Sequence, residues 1–113
     1  MCNRSKLDEI TSSIIEAAID ILGQKLDKVI LYGSYARGDF SEESDIDIMV
    51  IADIPAQESW KTRMKISKLT GWLDLEYNVL VSLHVTDCVT FYKFANDLPF
   101  YMNVLKEGVD LIA

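Results

Sequence analysis

The chain has 113 residues and a mass of 12.8 kDa, and half of its residues are hydrophobic while 26% are charged. This composition predicts one globular domain over residues 1–113 and not a disordered segment. The net charge of −7 argues against direct nucleic-acid binding, which needs clustered Lys and Arg. No apolar run approaches the roughly 20 residues of a membrane span. The polar N-terminus predicts no signal peptide, and two cysteines favour a reducing cytoplasm.

The first third of the chain alternates helix, strand and helical turn. Apolar residues recur at helical spacing from Ser5 to Leu22, where Gly23 ends the helix. A run of strand formers follows at residues 29–32, and residues 34–37 start a helical turn that Gly38 breaks. The glycines therefore predict a sharp change of direction directly after the first strand.

The remaining elements alternate strands with helices. Residues 44–52 and 77–85 read as strands, because apolar and polar side chains alternate or β-branched residues dominate. Helices are predicted from Pro55 to about Leu73, from Asp87 through Phe94, and from Pro99 to Lys106. This order predicts an α+β (α/β) domain with a small mixed sheet of about three to four strands. Helices cover one face of that sheet, and the other face carries two aspartates.

The residue inventory excludes several common catalytic sites. His84 is the only histidine, so the sequence has no HExxH zinc site and no two-histidine metal cluster. A Ser-His-Asp triad would have to use His84, which lies in an apolar run typical of a core or sheet-edge histidine. The sequence contains no CxxC pair, GxxxxGK[ST] loop or GxGxxG fingerprint.

The acidic residues are concentrated between Asp39 and Glu58. This segment carries seven acids and no Lys or Arg, whereas acids and bases balance over the rest of the chain. A solvated acidic loop is one interpretation. The other is a cation site, because like charges held close together need a counter-ion.

A phosphate-binding bend is predicted at Gly33 and Ser34. Gly33 ends a strand where the chain turns and a ligand can approach the backbone closely. Ser34 begins the helical turn, where N–H groups and a hydroxyl suit a phosphate. Arg37, one turn later, can add a guanidinium to phosphate oxygens or can simply lie on a surface turn.

Asp45 and Asp47 are two residues apart on the second predicted strand, so they project from the same face about 7 Å apart. Two carboxylates on an otherwise apolar strand carry a desolvation cost unless a cation pairs with them. Mg²⁺ favours carboxylate oxygens together with substrate phosphates. A phosphate-binding bend followed by a DxD strand thus outlines a nucleotidyl-transfer site.

The segments GSYARGD (residues 33–39) and SDIDIMV (residues 44–50) resemble the GSx10DxD signature of the DNA polymerase β-like nucleotidyltransferase superfamily. The short length resembles its minimal nucleotidyltransferase (MNT) branch, commonly encoded beside a HEPN-domain protein as a toxin–antitoxin pair. The resemblance implies that Gly33 and Ser34 bind the nucleotide triphosphate and that Asp45 and Asp47 bind Mg²⁺. We add Arg37 to the predicted nucleotide-binding residues because of its position one turn after Ser34.

The family adds a third acidic residue, a base or metal ligand, from a later strand. We assign it to Glu76, as a catalytic and metal-binding residue with Asp45 and Asp47. Asp74 and Asn78 share the predicted face with Glu76 and are the alternatives. If Asn78 holds the position, the base is missing, since an amide cannot act as a general base at neutral pH.

The resemblance implies an Mg²⁺-dependent enzyme that transfers AMP from ATP to a hydroxyl, such as a tyrosine of a cognate HEPN toxin, in a homo- or hetero-oligomer. One alternative is a non-catalytic antitoxin that neutralises a HEPN partner sterically. Another is a small-molecule nucleotidyltransferase of the aminoglycoside type. The aromatic-rich segment 91–101 suits either the core or a partner interface.

Overall fold

A computed structural model describes residues 3–41 and 43–112. This part of the chain forms an α+β domain with a four-stranded mixed sheet, as the sequence predicted. The helices are α1 (Arg4–Leu22), α2 (Ser34–Arg37), α3 (Ser59–Tyr77), α4 (Cys88–Phe94) and α5 (Pro99–Glu107). The strands are β1 (Leu26–Tyr32), β2 (Ile46–Ala52), β3 (Val81–Asp87) and β4 (Val109–Asp110).

The strands lie in the order β3-β2-β1-β4. Strand β1 is antiparallel to both β2 and β4, whereas β2 and β3 are parallel and are connected through helix α3. The two-residue strand β4 was not predicted, because so short a segment carries no alternation of its own. Among the described strands β3 forms one edge of the sheet, so the backbone groups on its side away from β2 pair with no other strand.

The main apolar core lies between one face of the sheet and helices α1 and α3. From α1 it receives residues four positions apart, including Ile10, Ile14 and Ala18, all fully buried. Val81 and Leu83 of β3 point into this core as well. Alternation along β3 therefore directs its intervening side chains to the opposite face of the sheet.

Helices lie on both faces of the sheet and not on one face as predicted, because α4 and α5 cover a second, smaller apolar cluster on the opposite face. Phe91 and Val104 of these helices are buried against Met49 and Ile51 of β2. Asp87 directly precedes α4 and caps its N-terminus: its carboxylate accepts a hydrogen bond from the Thr90 backbone N–H at 2.9 Å. The aromatic-rich segment thus contributes to the core through Phe91.

The predicted third strand, residues 77–85, begins four residues too early. Helix α3 continues through Tyr77 and ends at Asn78, which adopts a left-handed conformation with φ 53°. The Asp74 carboxylate then accepts a hydrogen bond from the Val81 N–H at 2.9 Å, where β3 begins. The alternation seen in the sequence was therefore partly the last turn of a helix, and Glu76 is not on a strand.

The described residues form no helix that is both long enough and apolar enough to cross a membrane.

Candidate active site

The bend after β1 is built around Gly33. Its φ of 74° lies in the region that favours glycine, and its carbonyl accepts hydrogen bonds from the N–H groups of Ala36 and Arg37. Ser34 begins α2 as predicted, and Gly38, with φ 85°, ends it. The chain therefore reverses within six residues and presents Ser34 at the end of the sheet.

Asp47 faces this bend. In the antiparallel pair of β1 and β2, Asp47 is the register partner of Tyr32, the residue before Gly33. A Cβ built on Gly33 would collide with the Asp47 carboxylate oxygen Oδ2. The missing side chain of Gly33 thus leaves the space that the Asp47 carboxylate occupies.

Asp47 lies on the sheet face that carries α4 and α5, and Asp45 directly precedes β2, close enough for its charge to act on Asp47. Burial, followed by the charge of Asp45, raises the pKa of Asp47, and the charges of His84 and Arg37 oppose that rise. The raised pKa indicates that the charged form of Asp47 is disfavoured at this partly buried position beside Asp45. This is the electrostatic setting in which a bound cation is favourable.

The side chains of the site fit Mg²⁺ better than a metal ion whose ligands all come from the protein. Over residues 3–41 and 43–112, no three or more His, Cys, Asp or Glu side chains come together in a way that could hold a metal ion. Mg²⁺ is commonly bound by one or two carboxylates plus water and substrate phosphates. Asp45 and Asp47 supply that number of carboxylates.

Arg37 lies at the rim of the same site. Its Nε donates to the Asp39 carboxylate at 3.2 Å, and its Nη1 lies 3.6 Å from a Glu107 carboxylate oxygen in α5. The side chain is 45% exposed. Because both carboxylates are exposed, their hold on Arg37 is weak, and a ligand phosphate can compete with them.

A cavity of about 220 Å³ opens between the bend and α5. Its aromatic wall is Tyr32 and Phe100, whose rings make an edge-on contact with centroids 5.8 Å apart. Burial, followed by the charge of Asp47, raises the pKa of the Tyr32 hydroxyl, so this hydroxyl stays protonated and neutral at pH 7. The cavity is lined by Tyr32, Gly33, Arg37, Asp47, Phe100, Asn103, Val104 and Glu107.

A second cavity, of about 580 Å³, runs along the edge strand β3 and borders Asp45. Ser82 and His84 line it, together with Arg63 of α3. The Arg63 Nε donates to the Leu83 carbonyl at 3.3 Å and so occupies part of the open strand edge. Asp47 lines the smaller cavity and Asp45 lines the larger one, so the two cavities border the two aspartates from different sides.

The structure does not bring Glu76 to the aspartates. Glu76 is exposed on α3, which packs on the sheet face opposite to the one that carries Asp47. The prediction that Asp74, Glu76 and Asn78 share a strand face was wrong, because these residues form the end of α3. The position on β3 paired with Asp47 is Ser82.

A family model described as the nucleotidyltransferase domain matches residues 13–111. The chain belongs to this family. The match includes the bend, the DxD strand and the fold around them, so the resemblance predicted from the motif is confirmed.

Two curated relatives come from Methanocaldococcus jannaschii. One is 45% identical over 91 residues, which cover 80% of this chain and 84% of the relative. The other is 39% identical over 84 residues, covering 74% of this chain and 76% of the relative. Both relatives are named putative protein adenylyltransferases.

Solved structures of similar fold are toxin–antitoxin complexes. A structure of a toxin–antitoxin with AMP-PNP has a TM-score of 0.54 at 25% identity, over 88% of this chain and 70% of that chain. A mutant of the toxin–antitoxin MntA–HpeT gives the same TM-score at 23% identity, again over 88% and 70%. The second likeness shows the fold alone.

In this nucleotidyltransferase, the sequence motif identified the bend and the DxD pair but missed their neighbours. Ser82 and His84 lie in the predicted third strand but were not assigned to the site, because the family pattern directed the search to acidic residues. Phe100 had only its place in an aromatic-rich segment as a signal. Tyr32 could have been identified, since it directly precedes Gly33.

Proposed function

We propose that this nucleotidyltransferase transfers AMP from ATP to a hydroxyl of a partner protein and acts as an antitoxin. The observation that carries the proposal is that Asp47 faces the Gly33–Ser34 bend and lies close enough to Asp45 for the charge of Asp45 to act on it. The names of the two M. jannaschii relatives support a protein acceptor, and the toxin–antitoxin structure with AMP-PNP supports an adenine nucleotide.

The two aspartates would hold Mg²⁺, and Gly33 and Ser34 would receive the triphosphate. Bound there, Mg²⁺ would neutralise charge that builds up on the phosphates. Arg37 would exchange its exposed partners Asp39 and Glu107 for phosphate oxygens. The acceptor oxygen would form a bond to the α-phosphorus while the bond to the leaving pyrophosphate breaks.

The proposed acceptor is a tyrosine of a HEPN-domain toxin, and the proposed location is the cytoplasm, where the free thiol of Cys88 remains reduced. A hetero-oligomer with this partner would complete the site. The open cavity beside Asp45 supports this arrangement, since a second chain could close it.

The test combines the purified chain, ATP labelled at the α-phosphate, Mg²⁺ and the purified protein encoded by the neighbouring gene. We expect label on the partner, and we expect Asp45→Asn to abolish it. Asp53→Asn is the matched control, because Asp53 is an exposed acid just after the same strand. Equal labelling by wild type and Asp45→Asn would refute the metal role of the pair.

One observation favours a second candidate, a non-catalytic antitoxin that blocks its partner sterically. The strand position paired with Asp47 carries Ser82 and no carboxylate. A tight complex that carries no label with any divalent cation would support this second function and refute the first.

A further inference from the structure

We propose that His84 accepts the proton of the attacking hydroxyl, because the face of β3 that carries Ser82 and His84 offers no carboxylate. This inference rests on the proposed AMP transfer.

The first step in the argument is the face on which His84 lies. Val81 and Leu83 point into the main core, so Ser82 and His84 point to the face that carries Asp47. In the parallel pair of β2 and β3, Ser82 is the register partner of Asp47, and His84 is the partner of Met49, two residues further along. Among the β3 side chains on this face, which are Ser82, His84 and Thr86, His84 is the ionisable one.

The second step is access. The His84 side chain is exposed and lines the cavity of about 580 Å³ that also borders Asp45. Its ring lies 6.4 Å from the Tyr32 ring and 6.0 Å from the Phe100 ring, centroid to centroid. Both aromatic residues line the smaller cavity with Asp47. His84 therefore lies at the boundary between the two cavities, where an acceptor in one would meet a nucleotide in the other.

The third step is the set of charged and titratable groups around His84. Asp45, directly before β2, and Arg63 of α3 line the larger cavity together with His84. Asp47 of β2 and the neutral Tyr32 of β1 line the smaller cavity. Helix α5 presents the apolar ring of Phe100.

Within residues 3–41 and 43–112, the His84 imidazole forms no hydrogen bond and no ion pair. A ring nitrogen is therefore available to a ligand.

The other acids of the site have different placements. Asp45 and Asp47 are the proposed cation ligands, whereas Asp39 and Glu107 lie beside Arg37 and do not line the larger cavity, by which the acceptor would approach. In the proposed step the hydroxyl O–H bond breaks and its proton passes to the imidazole nitrogen. The oxygen forms its bond to the α-phosphorus, and pyrophosphate leaves with the electrons of the broken P–O bond.

The test uses the full chain with ATP labelled at the α-phosphate, Mg²⁺ and the protein from the neighbouring gene as acceptor. We expect His84→Gln to lower the rate of labelling by about a hundredfold or more, the typical contribution of a general base. Affinity for AMP-PNP with Mg²⁺, measured by calorimetry, should stay within about twofold of wild type, because the base does not hold the nucleotide. Thr86→Val, on the same face of β3, is the matched control and should label normally.

A second variant separates chemistry from folding. Ser82→Asp places a carboxylate beside Asp47, so the double variant Ser82→Asp/His84→Gln should label at least about tenfold faster than His84→Gln alone. A merely structural role of His84 would not be restored in this way. Labelling by His84→Gln within about threefold of wild type, or no gain in the double variant, overturns the inference. Absence of labelling by the wild type instead refutes the proposed function itself.

Discussion

The carboxylate of Asp47 occupies the space in which Gly33 would carry its Cβ. These residues are 14 positions apart in the sequence: Asp47 lies on β2 as the register partner of Tyr32, and Gly33 directly follows Tyr32 at the end of β1. The close approach explains why the bend contains glycine there: its φ of 74° and the carboxylate both exclude a side chain. The motif is therefore one packed unit and not two separate short signals.

Gly33→Ala should abolish AMP transfer. The new methyl group must displace the Asp47 carboxylate, and a displacement of about 1 Å in a catalytic group can cost about a hundredfold in rate. Gly38→Ala is the matched control, because Gly38 also has a positive φ but has open space around it. Gly38→Ala should lose about 1–2 kcal/mol of stability from backbone strain. Gly33→Ala should lose about 1–3 kcal/mol from strain alone, and the contact with Asp47 adds to this loss. Similar labelling rates for the two variants would contradict the importance of the close approach.

Asp47→Asn should stabilise the protein without ligand at pH 7. The pKa of Asp47 is raised above 3.8, so the folded state binds this proton more tightly than the unfolded state. The resulting stability is present below pH 3.8 and is lost as the pH rises through the folded pKa. We expect the melting temperature of the variant to increase relative to that of wild type as the pH rises from 3 to 7. A constant difference across this range would contradict the assignment.

Asp47→Asn should be stabilised less by ligand than the wild type is. Mg²⁺ with AMP-PNP binds the folded state and should raise the melting temperature of wild type. Asp47→Asn should lose much of this gain, because one of two carboxylates for the cation is absent. Asp53→Asn, just after β2, should keep the full gain. An undiminished shift in Asp47→Asn would argue that the nucleotide binds elsewhere.

Glu76→Gln should leave AMP transfer unchanged. Glu76 is exposed on α3, on the far side of the sheet from Asp47. We therefore expect its labelling rate to stay within about twofold of wild type, whereas Asp45→Asn should lose about a hundredfold or more. A loss in Glu76→Gln comparable to that in Asp45→Asn would mean that the third carboxylate comes from α3 after all.

Phe91→Ala should destabilise the fold by about 3–5 kcal/mol, the usual cost of removing a buried aromatic ring. Phe91 is 0% exposed and anchors α4 against Met49 and Ile51 on the site's face of the sheet. Urea denaturation measures the loss. Val89→Ala, in the same helix and 77% exposed, should cost less than about 0.5 kcal/mol.

The bend and the DxD strand could be predicted from sequence because their constraints are local. A glycine at positive φ, a serine at a helix start and two acids at strand spacing are each visible in a few residues. The helix starting after Asp87 was predictable for the same reason, since its cap contacts the N–H only three residues away.

The third strand could not be placed in this way. Residues 74–78 alternate in the sequence as a strand would, but the packing of Leu73 in the main core keeps α3 helical through Tyr77. Whether a segment that short becomes helix or strand depends on what it packs against. The error led to the assignment of Glu76, which lies on α3, as the third acidic residue of the site.

The sequence by itself determined the family, the fold class and the residues that form the bend and the acidic pair, because these follow from backbone geometry and residue chemistry over short stretches. Only the tertiary structure decided which side chains join them from elsewhere. The pairing of β2 with β3 brings Ser82 to Asp47 and turns His84 toward the same face, and the packing of α5 adds Phe100. Strand register and helix packing are long-range choices, set by the burial of the whole apolar surface and not by any one segment.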